Sequence, residues 1–237
     1  LYNNAKLDEA LTLVSEEIEK YPDQAELQMA AYTLLKEKGQ TQQATEYLIR
    51  AFKSQDLDSE VKTKTYLSIL QEFKTSERDV LLGRLEGILS EVNPNDSYVF
   101  AAIGERRKSE NNLTEALTLY KKSLAIKPKN APVLEEVILS SFGENANFEE
   151  LETYTIMGVD EFPEAPEFWF YDGVVKSARK KDSLAVVSLE KALALNAGKN
   201  QQLAQVSFGS LGNSLYNLGQ KDSAFVNFER ALKLNPN

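Results

Sequence analysis

Apolar positions along this chain recur at helical spacing, and the recurrence itself repeats. Between residues 208 and 236, Phe208, Leu211, Gly212 and Leu215 form one stripe and Ala224, Phe228 and Ala231 a second, with Gly219 between them and Pro236 after them. Residues three and four apart share one face of a helix, so each stripe predicts a helix with one buried side. Gly and Pro between and after the stripes fit helix ends. Weaker copies of this two-helix pattern return upstream about every 34 residues.

The copies divide the chain as follows. Residues 1–22 read as half a unit, a second helix with Leu7, Ala10, Leu11, Val14 and Ile18 on its apolar side. Unit 25–57 has Ala31, Tyr32 and Leu35 before Gly39, then Ala44, Leu48 and Ala51. Unit 59–94 is the most divergent: Tyr66, Ile69, Leu70 and Phe73 predict its first helix and Leu81, Leu82, Leu85, Ile88 and Leu89 its second, with Gly83 and Gly87 as close-approach positions. Unit 97–128 carries Phe100, Ile103, Gly104, Ala116, Tyr120, Ser123 and Pro128. Unit 132–163 carries Ile138, Phe142, Leu151, Thr155 and Gly158. Unit 166–197 carries Trp169, Gly173, Ala185, Leu189 and Ala192, with Asp182 or Ser183 as the cap of its second helix and Ala197 where a proline would fall. Unit 200–237 completes the series. Extra residues near Asp56–Val61 and Ala197–Gln202 predict a longer first helix in the third and seventh units.

The stripes of the last unit match the spacing W-x2-L-G-x2-Y…A-x3-F…P, with Phe for Trp and Leu for Tyr. On these residues the whole chain resembles tetratricopeptide-repeat (TPR) proteins. With repeat endings such as Tyr21-Pro22-Asp23, Phe162-Pro163-Glu164 and Leu234-Asn235-Pro236-Asn237, it looks most like long bacterial members associated with the cell envelope. The resemblance implies an all-α fold, a right-handed superhelical solenoid of antiparallel helix pairs whose first helices line a concave face. It implies a protein or peptide partner on that face and no cofactor. It also implies an extracytoplasmic or periplasmic setting, the cytoplasm being the alternative. The start at Leu1, inside a unit, predicts a piece of a longer chain.

Composition narrows the chemistry. A hydrophobic content of 42% with only 7 Pro and 11 Gly suits a packed helical fold. The net charge of −9 leaves no basic stripe for phosphates, so nucleic acid is not an expected partner. The short clusters Arg106-Arg107-Lys108 and Arg179-Lys180-Lys181 fall at predicted first-helix ends, where cations suit the dipole. With no Cys and no His, thiol catalysis, Ser-His-Asp triads and Cys/His zinc sites are excluded. The neighbouring carboxylates Glu135-Glu136 and Glu149-Glu150 point apart on a helix, so no catalytic or metal residues are assigned. No apolar run reaches the roughly 18 residues of a membrane span.

The candidate binding residues come from the face that the resemblance turns inward. A carboxylate clamp of Lys, Asn and Arg on that face would mark a chaperone-tail binder. The matching positions, among them Glu26, Met29, Lys64, Glu105 and Glu167, do not assemble one. The run Phe168-Trp169-Phe170-Tyr171 is the most unusual local feature, because four consecutive helical residues cannot share one face. Trp169 takes the core position, Phe168 and Tyr171 cover neighbouring helices, and Phe170 faces the groove. Val174, Asn213, Tyr216 and Asn217 share the predicted inward face, with Tyr98 farther along. These residues predict a partner-binding surface; ordinary packing or solvation is the alternative for each. The expected function is a non-catalytic interaction scaffold, or else a structural or regulatory array of a larger protein whose active part lies elsewhere. Leu7, Leu11 and Val14 at one end, and Phe225 and Leu232 at the other, are expected to be left uncovered and to permit self-association.

Overall fold

The structure, a computed structural model, describes residues 2–143 and 146–234, with side chains from residue 6 onward. Thirteen helices and no strand occur among them: α1 (Tyr2–Lys20), α2 (Ala25–Glu37), α3 (Thr41–Lys53), α4 (Ser59–Leu70), α5 (Ser76–Val92), α6 (Ser97–Ser109), α7 (Leu113–Ile126), α8 (Ala131–Ser141), α9 (Phe148–Glu161), α10 (Pro166–Ala178), α11 (Asp182–Asn196), α12 (Gln201–Asn217) and α13 (Lys221–Leu234). Pro236, the expected end of the last unit, lies outside the described residues. The helices form two compact units, Leu1–Leu119 and Tyr120–Asn237.

Four first-to-second helix corners share one geometry. Gly39, Asn111, Lys180 and Gly219 have φ of 74°, 63°, 61° and 79°. At each, the next residue's amide reaches back to a carbonyl five residues earlier, as Gln40 does to Leu35 and Lys181 to Lys176. This is the left-handed cap that closes a helix by satisfying its last carbonyls. Glycine adopts it freely, asparagine tolerates it, and lysine is strained there. Lys180→Gly is therefore expected to stabilise the protein by about 0.5–1 kcal/mol, the relief of strain exceeding the added freedom of the unfolded chain. A higher urea midpoint checks it.

In the first unit, α3, α4, α5 and α6 meet in a core of Leu48, Phe52, Tyr66, Ile69, Leu82, Leu85, Leu89, Val99 and Ile103. Here the structure departs from the sequence reading. α4 ends at Leu70, so Phe73 lies in the following loop and is 96% exposed. α4 has 12 residues and α5 has 17, so the longer helix of this unit is its second. The extra residues near Asp56 form the loop before α4, where the Asp58 side chain caps the helix. Gly83 and Gly87 have no close neighbour across a helix interface, the nearest atom to a Cβ at Gly83 being an Arg106 nitrogen at 3.9 Å.

Two polar constellations organise this unit. Lys62 on α4 is fully buried; its Nζ donates to the Ser54 carbonyl at 2.7 Å and to Asn93 Oδ1 at 3.0 Å. Burial lowers its pKa, while Asp96 and Asp58 pull it back up. Glu86 on α5 accepts from Arg106 at 2.8 Å and from Arg107, and the Tyr66 hydroxyl donates to it at 3.4 Å. The basic cluster at the end of α6 is thus partly spent on an interhelical ion pair. Burial pushes the Tyr66 hydroxyl up to about 12. The unfolded chain ionises a tyrosine near pH 10, so this group's contribution is whole below about pH 10 and is lost as pH rises toward about 12. The expected loss is about 3 kcal/mol across that window, read as falling urea midpoints and reduced in Tyr66→Phe.

In the second unit α10, α11, α12 and α13 stack in sequence. A Cβ at Gly173 would meet Leu189 at 2.6 Å and one at Gly212 would meet Phe228 at 2.5 Å, so both glycines lie at helix contacts, as their place in the repeat predicts. α12, at 17 residues, is the long first helix that the spacing predicts. Ahead of it, Asn196 Nδ2 donates to the Asn200 carbonyl at 2.8 Å and its Oδ1 accepts from the Asn200 amide at 3.0 Å, while Asn200 caps α12. The cap position of α11 is Lys181, which makes no side-chain capping bond; Asp182 is already inside the helix.

The aromatic run also differs from expectation. Phe168, 4% exposed, is the buried ring, stacked on Phe162 with centroids 5.2 Å apart. It enters because Gly158 has no side chain; a Cβ there would lie 2.6 Å from the ring. Trp169 is only half-buried, its indole N–H donating to the Pro163 carbonyl at 2.8 Å. Tyr171 donates to Glu135 at 2.7 Å, and burial raises its pKa.

Candidate functional site

The candidate residues of the second unit sit on α10 and α12, which touch directly. Ser214 donates to Ser177 at 3.1 Å, Ser177 to Asp182 at 3.2 Å, and Asn217 to Asp182 at 3.1 Å. This short chain fixes the C-terminal ends of α10 and α12 side by side. Asp182 therefore serves as a hub between helices and not as a cap.

On α12, Val206, Gly209, Asn213 and Tyr216 follow one another at spacings of three and four and line one face. Val206 is 40% and Tyr216 51% exposed, Asn213 is exposed, and the Cβ position of Gly209 faces open space. The result is an uncharged strip with a notch at the glycine. Lys221 Nζ stands 6.0 Å from the Tyr216 ring centroid. Asn217 is exposed but has one amide hydrogen committed to Asp182.

On α10 the picture is more internal. Phe170 is half-buried and packs against the cluster that Leu189, Leu211, Leu215 and Ala224 form. Val174 is half-buried. Tyr98 is half-buried on α6 in the other unit. The structure thus brings Phe170, Val174, Asn213, Tyr216 and Asn217 onto two adjoining helices, with α12 the more accessible. Val206 and Gly209 also stand at inward repeat positions, but neither is chemically distinctive, so the sequence alone does not single them out.

The other polar centres of this unit are internal. Asp172, fully buried, accepts from Lys176 at 2.6 Å and from Ser188 at 2.5 Å. Glu152 accepts from Arg179 and, at 2.7 Å, from Lys181. The second basic cluster is thus likewise engaged across helices. Among the described residues no group of carboxylates converges as metal ligands, and no helix is long and apolar enough to cross a membrane.

Residues 207–237 match the profile of the tetratricopeptide repeat. No curated protein matches the sequence. Among solved structures the chain is similar to MamA, at 15% identity and a TM-score of 0.57, covering 74% of this chain and 92% of that one. A MamA structure labelled AMB-1 gives 17% identity and a TM-score of 0.57, over 74% and 91%. YrrB, described as a TPR protein with an unusual peptide-binding site, gives 12% identity and a TM-score of 0.54, over 94% and 93%. At such identities the likeness is one of fold. The chain carries a tetratricopeptide repeat at residues 207–237 and has the all-α solenoid fold of TPR proteins.

Proposed function

We propose that this protein is a non-catalytic interaction scaffold that binds an extended protein segment on the face formed by α10 and α12. The observation that carries the reading is the uncharged strip Val206–Gly209–Asn213–Tyr216, exposed on a chain of net charge −9. Tyr216 offers a large, stiff anchor with a polar tip, and aromatic anchors of this kind dominate interface energies. Asn213 can pair with the backbone of an extended segment through both its amide hydrogens and its carbonyl. Val174 and the edge of Phe170 supply apolar area beside it. The described peptide-binding site of YrrB, on the same fold, supports the choice of partner class.

The double variant Asn213→Ala, Tyr216→Ala tests this on a peptide array. Both side chains are exposed, so the melting temperature is expected to stay within a degree or so, while array peptides bound by the parent weaken by about tenfold or more. Binding of those peptides is expected to change little with salt, since apolar anchors carry it. Unchanged peptide binding in the variant sinks the assignment. A second surface favours contact between copies: Phe225 and Leu232 on α13 are 60% and 64% exposed, whereas Leu7, Leu11 and Val14 are half-buried. Concentration-dependent sedimentation, reduced in Phe225→Ser, reads that contact.

A further inference from the structure

A cleft of about 1240 Å³ opens in the first unit between α3 and α5, on second helices. Its floor is apolar: Ala44, Ile49 and Ile69 are buried there, Leu81 is half-buried, and Val80 on its wall is 73% exposed. The loop that supplies Glu72 and Thr75 to its lining also bears the 96% exposed Phe73.

The charge of the lining runs against that of the chain. Lys36, Arg50, Lys53, Arg78 and Arg84 line the cleft with three carboxylates, Glu46, Glu72 and Glu77. Lys36 is paired with Glu72 at 2.5 Å, and Arg78 with Asp79 and the carbonyls of Leu70 and Glu72. Glu77 lies in the first turn of α5, where a backbone hydrogen bond and the Thr75 and Ser76 side chains hold its carboxyl below the usual range and so ionised. That leaves Arg50, Lys53 and Arg84, all exposed and with no carboxylate partner among the described residues, against Glu46 and Glu77. Arg50 rests only on the Tyr47 ring, 5.5 Å from its centroid. Cations left unpaired around an apolar floor, in a protein of net charge −9, form a local field that attracts anionic partners and repels cationic ones.

We propose that the α3–α5 cleft is a second docking surface, which takes an acidic protein segment whose apolar side chains enter between the helices while its carboxylates meet Arg50, Lys53 and Arg84. Charge supplies the steering and the floor the retention, because exposed ion pairs alone are weak. The test is fluorescence anisotropy on the whole chain with a labelled short peptide in which glutamates alternate with leucines. Controls replace its glutamates with lysines or its leucines with serines. The parent is expected to bind the first peptide at least about tenfold more tightly than either control, and the affinity is expected to fall steeply with salt. Arg50→Glu with Arg84→Glu, on exposed helix positions, is expected to keep the helical circular dichroism and to lose about tenfold or more in affinity. The Asn213→Ala, Tyr216→Ala variant is expected to bind this peptide as the parent does, which separates the two surfaces. Equal binding of the lysine peptide, no loss on charge reversal, or co-sedimentation with phosphatidylglycerol vesicles without any peptide binding overturns the proposal.

Discussion

Phe168→Ala is expected to destabilise the protein by about 3–5 kcal/mol, and Trp169→Ala, one residue on, by only about 1–2 kcal/mol. The larger residue carries the smaller effect because of what surrounds it. Phe168 is enclosed by the Phe162 ring, by Tyr171 edge-on at 6.3 Å, and by the bare backbone at Gly158. Truncation leaves a cavity that a rigid helix pair cannot close. Trp169 lies half out of the core, and its main specific contact is one hydrogen bond to Pro163. In stacked helix pairs the Phe168 loss is expected to weaken coupling between neighbours, so unfolding followed by circular dichroism in urea should broaden as its midpoint falls. Equal midpoints for the two variants would show that the tryptophan is the packed ring after all.

Lys62→Ala is expected to cost a similar amount, about 3–5 kcal/mol, for a different reason. The ammonium of Lys62 holds the Ser54 carbonyl before α4 and the Asn93 amide oxygen after α5, and its stem fills a fully buried site. Removing it orphans two acceptors at about 1–3 kcal/mol each if they stay dry, and opens a cavity as well. Lys62→Met keeps most of the stem volume and removes only the donor. It is expected to recover the packing share and leave a deficit of about 2 kcal/mol. A methionine variant as stable as the parent would show that the hydrogen bonds contribute nothing net, as happens when buried charges are traded for well-packed apolar groups.

The fold was legible because its units repeat. The spacing from Phe208 to Ala231 sets helix register, and Gly173 and Gly212 fall at the close contacts the repeat requires. Legibility failed where identity and environment part company. Phe73 continues an apolar stripe in sequence, yet α4 stops three residues before it. Lys62 reads as a polar surface position, because a buried lysine is recognisable only when the loops that supply its acceptors are in place. Trp169 sits at the repeat's usual aromatic position, but the missing side chain at Gly158 draws in its neighbour instead. The candidate site was half legible. Inward repeat positions located Asn213 and Tyr216, while the partial enclosure of Phe170 depends on a cluster to which the next helix pair contributes Leu211, Leu215 and Ala224. The α3–α5 cleft left no pattern in the sequence, since it arises from the short α4 and the loop after it.

The buried Lys62 also gives the first unit an internal gauge of its own opening. Trypsin cuts after lysine only where the chain can extend through the protease cleft. Lys62 and Thr63 are 0% and 3% exposed inside α4, so the bond between them is closed while that helix holds. Lys74, exposed in the loop after α4, is open to cleavage in the folded protein. The order of the two nicks therefore separates local access from unfolding: cleavage after Lys74 reports the loop, and cleavage after Lys62 counts the openings of α4 itself.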